Sequence, residues 1–308
     1  MFRSLSLKLC GCSTIYVTAL LLFLIFTIPI PQANAQFAAQ RTKFALYNVG
    51  FNGLASGIGA VINKDEGQRW QQAFWKGIGQ GALGGLMMHS GKALTYQIYK
   101  QENLLYAWPS HLVHAAGASI VQNAANNRNF WEQWHINLWL LRLDYAVEDK
   151  KFQARVFPSG LYGYFMLEAD GRLNFRRSLA TGLLYFDYDD YTFYDGRSQA
   201  TSIIVGLDES IYGRAEYYSL AAHEVAHSLQ YEGFVYLNPL FSELDKTWKE
   251  KHQWYQNLSR FIYFDLNGLY FLGIYHLIEG GFDNPCYWQN FYEKEAEHYS
   301  HLRFVDCP

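Results

Sequence analysis

The sequence predicts an α+β fold, and three changes of pattern along the chain predict it. From about Thr42 to Asn126 small residues recur four apart in a helical rhythm. Between Trp134 and Gly206 aromatic and β-branched residues alternate with polar ones, and from Arg214 onward the helical period returns. The 308 residues are 50% hydrophobic and 18% aromatic, with 7 prolines and a formal net charge of -3. So many aromatics at near-neutral charge exclude a disordered chain, a collagen-like or low-complexity polymer, and an electrostatic nucleic-acid binder. No nucleic-acid partner is therefore expected. Charged residues make up only 17%, against roughly 25% in an ordinary soluble domain, which places part of the chain close to a membrane.

The elements follow in order. Arg3 and Lys8 precede an apolar run from Ile15 to Ile30 that ends in Ala33-Asn-Ala35. A basic start, an apolar middle and an Ala-x-Ala site read as a secretory signal, residues 1–35, cleaved after Ala35. An uncleaved anchor helix is the alternative, since the run is near spanning length. Residues 36–130 form a glycine-rich helical segment, with Gly53/Gly57 and Gly77/Gly81/Gly85 spaced so that helix backbones can approach closely. Each glycine costs a helix about 1 kcal/mol relative to Ala, so this many require a packing reason. Two readings stand for residues 42–126: a membrane-embedded hairpin, or a tightly packed soluble one, because Lys76, Gln80, Lys92, Gln122 and Asn123 interrupt any clean apolar span.

Residues 131–308 carry a small, mostly antiparallel sheet and then helices. Strands are expected at His135–Val147, Leu161–Leu167, Thr181–Asp187 and Thr201–Val205, with turns at Pro158-Ser-Gly160, Asp170-Gly171 and Asp195-Gly196. Helices are expected over Ala215–Tyr231, Glu243–Trp254, Arg260–Ile278 and Tyr287–Arg303. Of the four cysteines only Cys286 and Cys307 survive signal cleavage; in an exported protein they can close a disulfide near the C-terminus or remain two free thiols.

The first C-terminal helix contains His223-Glu-Val-Ala-His227. Residues four apart share one helix face, so both imidazoles can reach one ion, while Glu224 is turned aside toward a water on it. Zinc held by neutral nitrogen ligands lowers the pKa of that water and polarises a peptide carbonyl. Glu224 would take the water's proton and later give it to the leaving amine. A third ligand is required, and Glu293-Lys-Glu295-Ala-Glu297, beginning 66 residues after His227, supplies candidates on a later helix.

These two motifs together resemble the gluzincins, zinc peptidases in which a glutamate from a later helix completes the site. They are more similar to the HtpX-like bacterial branch, with its E-x-x-A-D signature, than to thermolysin. The resemblance covers about Tyr217 to His301 and implies nothing about residues 36–200. It implies that His223, His227 and Glu293 are metal ligands and Glu224 the general base. Glu297 falls where the family has an aspartate that orients the first metal histidine through its free nitrogen, though here the side chain is one methylene longer. Glu297 also stands as an alternative ligand. Glu295 points about 200° from Glu293 on the helix and is the least suited partner.

Other residues carry less. His111 and His114 are three apart on a helix with no nearby Cys or acid to complete a metal pair, and are read as packing or capping residues. His276 and Glu279 are the polar end of a helix. His298, His301, Tyr231 and Tyr299 are either donors to an oxyanion or structural. The aromatics are ordinary core, and Asn257-Leu-Ser259 has no assigned role. The expectation is an exported zinc metallopeptidase acting on a peptide or protein substrate, located in the periplasm, at an outer membrane or outside the cell. The alternative is a membrane-associated structural or assembly protein, attached through residues 42–126, with a vestigial or purely structural metal site.

Overall fold

The close glycine spacing of the first segment is used to bring helices together. In a computed structural model, which describes residues 35–168, 171–188, 197–198, 203–207, 213–267 and 290–300, the chain begins with α1 (Ala35–Leu46), one π-helical turn (Tyr47–Phe51), α2 (Asn52–Ile62) and α3 (Trp70–Leu94). After α4 (Tyr96–Lys100) comes α5 (Ala107–Ala125). A Cβ on Gly81 would lie 2.5 Å from Ser56 Cβ, and one on Gly117 would lie 2.5 Å from the Gly84 carbonyl oxygen. The contacts α2–α3 and α3–α5 thus run backbone against backbone, which is the packing reason that offsets the helix cost of glycine. Thr42–Ile62 is a helical stretch long and apolar enough to cross a membrane. On it Leu54, Ile58 and Ile62, four apart, form an exposed apolar stripe, and Trp70 and Trp75 of α3 are exposed as well.

The chain then forms an antiparallel three-stranded sheet in the order β1 (Gln133–Leu138), β2 (Leu141–Ala146), β3 (Lys151–Val156). The single strand expected over His135–Val147 is a hairpin, because Trp139 takes φ 58° and reverses the chain. A non-glycine residue there carries none of the usual turn chemistry, so the sequence hides the turn. The buried Arg142 fastens this sheet to α5, reaching Asp144 at 2.9 Å and Gln122 at 2.6 Å, and its guanidinium lies 4.1 Å from the ring centre of Tyr263.

A second expected strand, Leu161–Leu167, is instead helical: α6 spans Pro158–Glu168. Pro158 is its first residue, where a fixed φ and a missing N–H suit the first helical turn. A second, four-stranded sheet has the order β4 (Arg172–Leu173), β5 (Leu184–Tyr188), β7 (Ile203–Leu207), β6 (Arg197–Ser198), with α7 (Phe175–Thr181) between β4 and β5. Its central pair, β5 and β7, is parallel, while the other strand pairs among the described residues are antiparallel, in keeping with a mostly antiparallel expectation.

The C-terminal part continues with α8 (Arg214–Tyr231), a short 3-10 turn (Glu232–Phe234), α9 (Leu237–Leu240), α10 (Ser242–Lys251), α11 (Gln253–Leu258) and α12 (Phe291–Ser300). His252, extended at φ -129° and ψ 100°, divides the helix expected over Glu243–Trp254 into α10 and α11. Arg260 to Asp265 are not helical, and Val156 bridges to Ile262 instead. Residues 1–34 of the expected signal segment 1–35, and Cys286, Cys307, His276, Glu279 and His301, lie outside the described residues.

Residues Gln40–Pro308 form one unit. One apolar core joins Met88, Ala118, Val121 and Ala125 of the glycine-rich helices to Tyr231, Phe234, Val235, Tyr236 and Tyr292. Another joins Ile98 and Ala107 to Leu183, Tyr185, Ala221, Ala222 and Val225. The expected boundary at residue 130 therefore runs through shared cores.

Candidate metal centre

Helix α8 has no glycine or proline inside it, and it is buried from Ser219 to Tyr231. Its neighbours are α12, α4 and β7. At the start of α12, Asn290 accepts a hydrogen bond from the Glu293 N–H at 2.8 Å, a side-chain N-cap that sets the first turn and with it the Glu293 carboxylate. Ser219 ties the two helices by donating to the Ser300 carbonyl at 2.9 Å.

Between these helices three side chains converge. His223 Nε2 and His227 Nε2 lie 2.9 Å apart. Glu293 Oε2 is 3.1 Å from the first and 3.2 Å from the second. All three residues are buried, and together they form a group that can hold a metal ion. Donors about 2.0–2.1 Å from a tetrahedral ion stand about 3.3 Å from one another, so the spacing fits a small divalent cation with little adjustment. Two imidazole nitrogens and one carboxylate oxygen are also a donor set suited to such an ion.

The electrostatics agree. Burial disfavours the charged form of His227, but the Glu293 carboxylate, aided by Glu224 and Gln230, outweighs it and pushes the pKa up to about 9. His223 moves the other way, lowered by burial and then by the neighbouring His227. Burial would raise the Glu293 carboxyl, yet the charge of His227 and hydrogen bonds from both histidines hold it well below the usual carboxylate range. Without a cation the group thus keeps one shared positive charge opposite one negative one.

No protein-family model, curated protein or solved structure matches the chain. The site therefore has to be read from its own residues.

Of the residues singled out in the sequence, His223, His227 and Glu293 are brought together, and Glu224 is buried beside them on α8. Glu297 is half-buried and pairs with Lys294 at 3.4 Å. The expected task of holding a histidine by its far nitrogen is done at His227 by Gln230, whose Oε1 lies 2.8 Å from Nδ1. Glu295 points away from the histidines, as its helix position requires, but it is fully buried. One of its oxygens takes Lys92 at 2.7 Å and Asn48 at 2.7 Å, and the other takes Gln230 Nε2 at 2.9 Å. Tyr299 shares a 2.7 Å hydrogen bond with His89, a structural tie to α3.

The sequence missed Gln230, although it stands one helical turn beyond His227 on the same face, a spacing that could have revealed it. It also missed the acid for His111 and His114. Glu232, far away in sequence and fully buried, meets His114 Nδ1 at 3.0 Å, Asn137 Nδ2 at 2.7 Å and His111 Nε2 at 3.9 Å. Burial by itself raises the Glu232 carboxyl, but His111 and His114 together hold it far below its ordinary value.

Proposed function

We propose that the protein is an exported zinc metallopeptidase, with His223, His227 and Glu293 as ligands and Glu224 as general base. The observation that carries this reading is the convergence of both histidines of one helical His-Glu-x-x-His turn with a glutamate from a second helix. Zinc, when bound, supplies Lewis acidity, which polarises a peptide carbonyl and acidifies a water. Glu224 sits one residue after the first ligand, where its carboxylate would accept a proton from the attacking water and pass it to the leaving amine. The resemblance to gluzincins of the HtpX-like branch supports the same assignment. An intact Glu224 supports catalysis over a purely structural metal site, since that residue contributes to proton transfer and not to holding the ion.

A second reading has one observation of its own. The exposed stripe of Leu54, Ile58 and Ile62 with Trp70 and Trp75 suits a membrane-associated structural or assembly protein whose metal only braces the fold. Metal analysis with a casein assay separates the two. Wild type is expected to hold one zinc and degrade denatured casein. Glu224→Gln keeps the zinc and loses roughly 100-fold or more of the rate, and His227→Ala loses the metal. Equal hydrolysis by Glu224→Gln would overturn the catalytic assignment. Zinc without hydrolysis, together with binding to lipid vesicles, would favour the second reading, and a protein without zinc would remove both.

A further inference from the structure

The half of the chain that the peptidase resemblance leaves unexplained is linked to the metal ligands through the buried side chain of Gln230. Gln230 has an amide with two distinct ends. Its nitrogen lies 2.9 Å from the Tyr292 carbonyl oxygen and 2.9 Å from Glu295 Oε2. An ionised carboxylate and a backbone carbonyl only accept hydrogen bonds, so the end that faces them must be the NH2 group. The amide oxygen is therefore the end that faces His227 Nδ1 at 2.8 Å, and an oxygen there demands a proton on Nδ1. With Nδ1 protonated, Nε2 is the nitrogen that offers a lone pair to an ion.

The orientation of Gln230 is itself held from the glycine-rich helices. Glu295 stays ionised in a fully buried place because Lys92 of α3, also buried, pairs with it at 2.7 Å. Asn48, in the π-helical turn before α2, donates to the same oxygen at 2.7 Å and to the Phe44 carbonyl at 2.8 Å. The π turn is an irregularity of a kind frequent at functional sites, and the buried Asn48 lies in it.

We propose that Lys92, Asn48 and Glu295 act as positioning residues for the metal centre: by fixing the Gln230 amide they keep the His227 proton on Nδ1 and Nε2 open to the ion. The proposal rests on the metal reading above, though not on peptidase activity. The glycine-rich segment then has a task beyond packing, since its close helix approaches set Lys92 and Asn48 against Glu295.

The informative variant is Glu295→Gln. Lys92 and Asn48 both require an oxygen, which turns the new NH2 toward Gln230; with its carboxylate acceptor replaced by a donor and only the Tyr292 carbonyl left to hold it, the Gln230 amide flips and presents its own NH2 to His227 Nδ1. The imidazole proton moves to Nε2, and metal affinity falls by about 10- to 100-fold, as for other partners of metal-bound histidines. Asn48 donates to the same oxygen as Lys92, so removing both donors frees the new amide to turn back, and Asn48→Leu/Lys92→Met/Glu295→Gln regains most of the affinity, a rescue that a merely structural role would not give. Gln230→Leu loses affinity and the exchange-protected Nδ1–H signal of His227 without touching the ion pair. Affinity is read by zinc competition with a chelator, and the proton by nitrogen-15 NMR of the His227 ring. Should Glu295→Gln fail to fold, Gln230→Leu decides alone. Wild-type affinity in a folded Gln230→Leu protein, or a His227 proton on Nε2 in zinc-loaded wild type, would overturn the proposal. Were wild type to take up no zinc, the metal reading would fall, and the Nδ1–H signal in metal-free protein, taken at a pH where the His227 ring holds a single proton, would still test the proton placement.

Discussion

His227 carries two opposed demands, one nitrogen held by Gln230 and the other shared with Glu293, and the pH behaviour of the site follows from them. Its pKa, pushed up to about 9, lies above neutral, so the metal-free site holds a proton on His227 that an incoming ion must displace. Burial and the neighbouring His227 shift His223 toward its neutral form, and the two histidines hold Glu293 toward its ionised form. The sign is therefore that zinc affinity rises with pH until about pH 9, and the ligands release close to one proton per ion at about pH 6. Calorimetry in buffers of different ionisation enthalpy measures that number; two protons would mean that His223 is also charged. At this scale the three residues of the candidate site were largely legible in the sequence, because both histidines share one helical turn and Glu293 opens another. Gln230, Glu295 and Lys92 were not, since a glutamine near a motif and a lysine in an apolar helix acquire meaning only when the chain brings them within 3 Å.

Glycine decides how the first helices meet. At Gly117 an added methyl would lie 2.5 Å from the Gly84 carbonyl oxygen and 2.7 Å from the Met88 nitrogen, both backbone atoms that cannot turn aside. Gly117→Ala should therefore destabilise the protein by about 1–3 kcal/mol as α3 and α5 separate. At Gly79 nothing lies within 4 Å, so Gly79→Ala should stabilise by up to about 1 kcal/mol through helix propensity alone. Denaturant unfolding of the two variants compares them directly, and equal shifts would refute the packing role. The helix periods in this segment and in α8 were readable because a long apolar rhythm survives any tertiary context. The sheet was read less well. An aromatic-rich stretch after Pro158 has the composition of a strand, yet proline as first residue starts α6, and Trp139 makes a turn without glycine or asparagine.

At the scale of the whole chain, the described residues share cores that cross the expected boundary. Met88, Val121 and Ala125 pack with Tyr231, Phe234 and Tyr292, and Ile98 and Ala107 pack with Ala222 and Val225 of the helix that bears the histidines. A fragment of residues 131–308 would expose both cores and leave Glu295 buried without Lys92. It should give no cooperative unfolding transition and bind no zinc tightly, which near-ultraviolet circular dichroism and chelator competition can check; a folded fragment would show that the two segments are separable. By itself the sequence determined the fold class, the two helical segments around a sheet, and the pairing of His223 and His227, because helical periodicity is a local property of consecutive residues. Only the tertiary structure decided that Glu293 joins them, that Glu295 looks the other way to Lys92, and that one half of the chain braces the other. Those contacts join residues as far as 247 positions apart, and no local pattern records which distant partner will neutralise a buried charge.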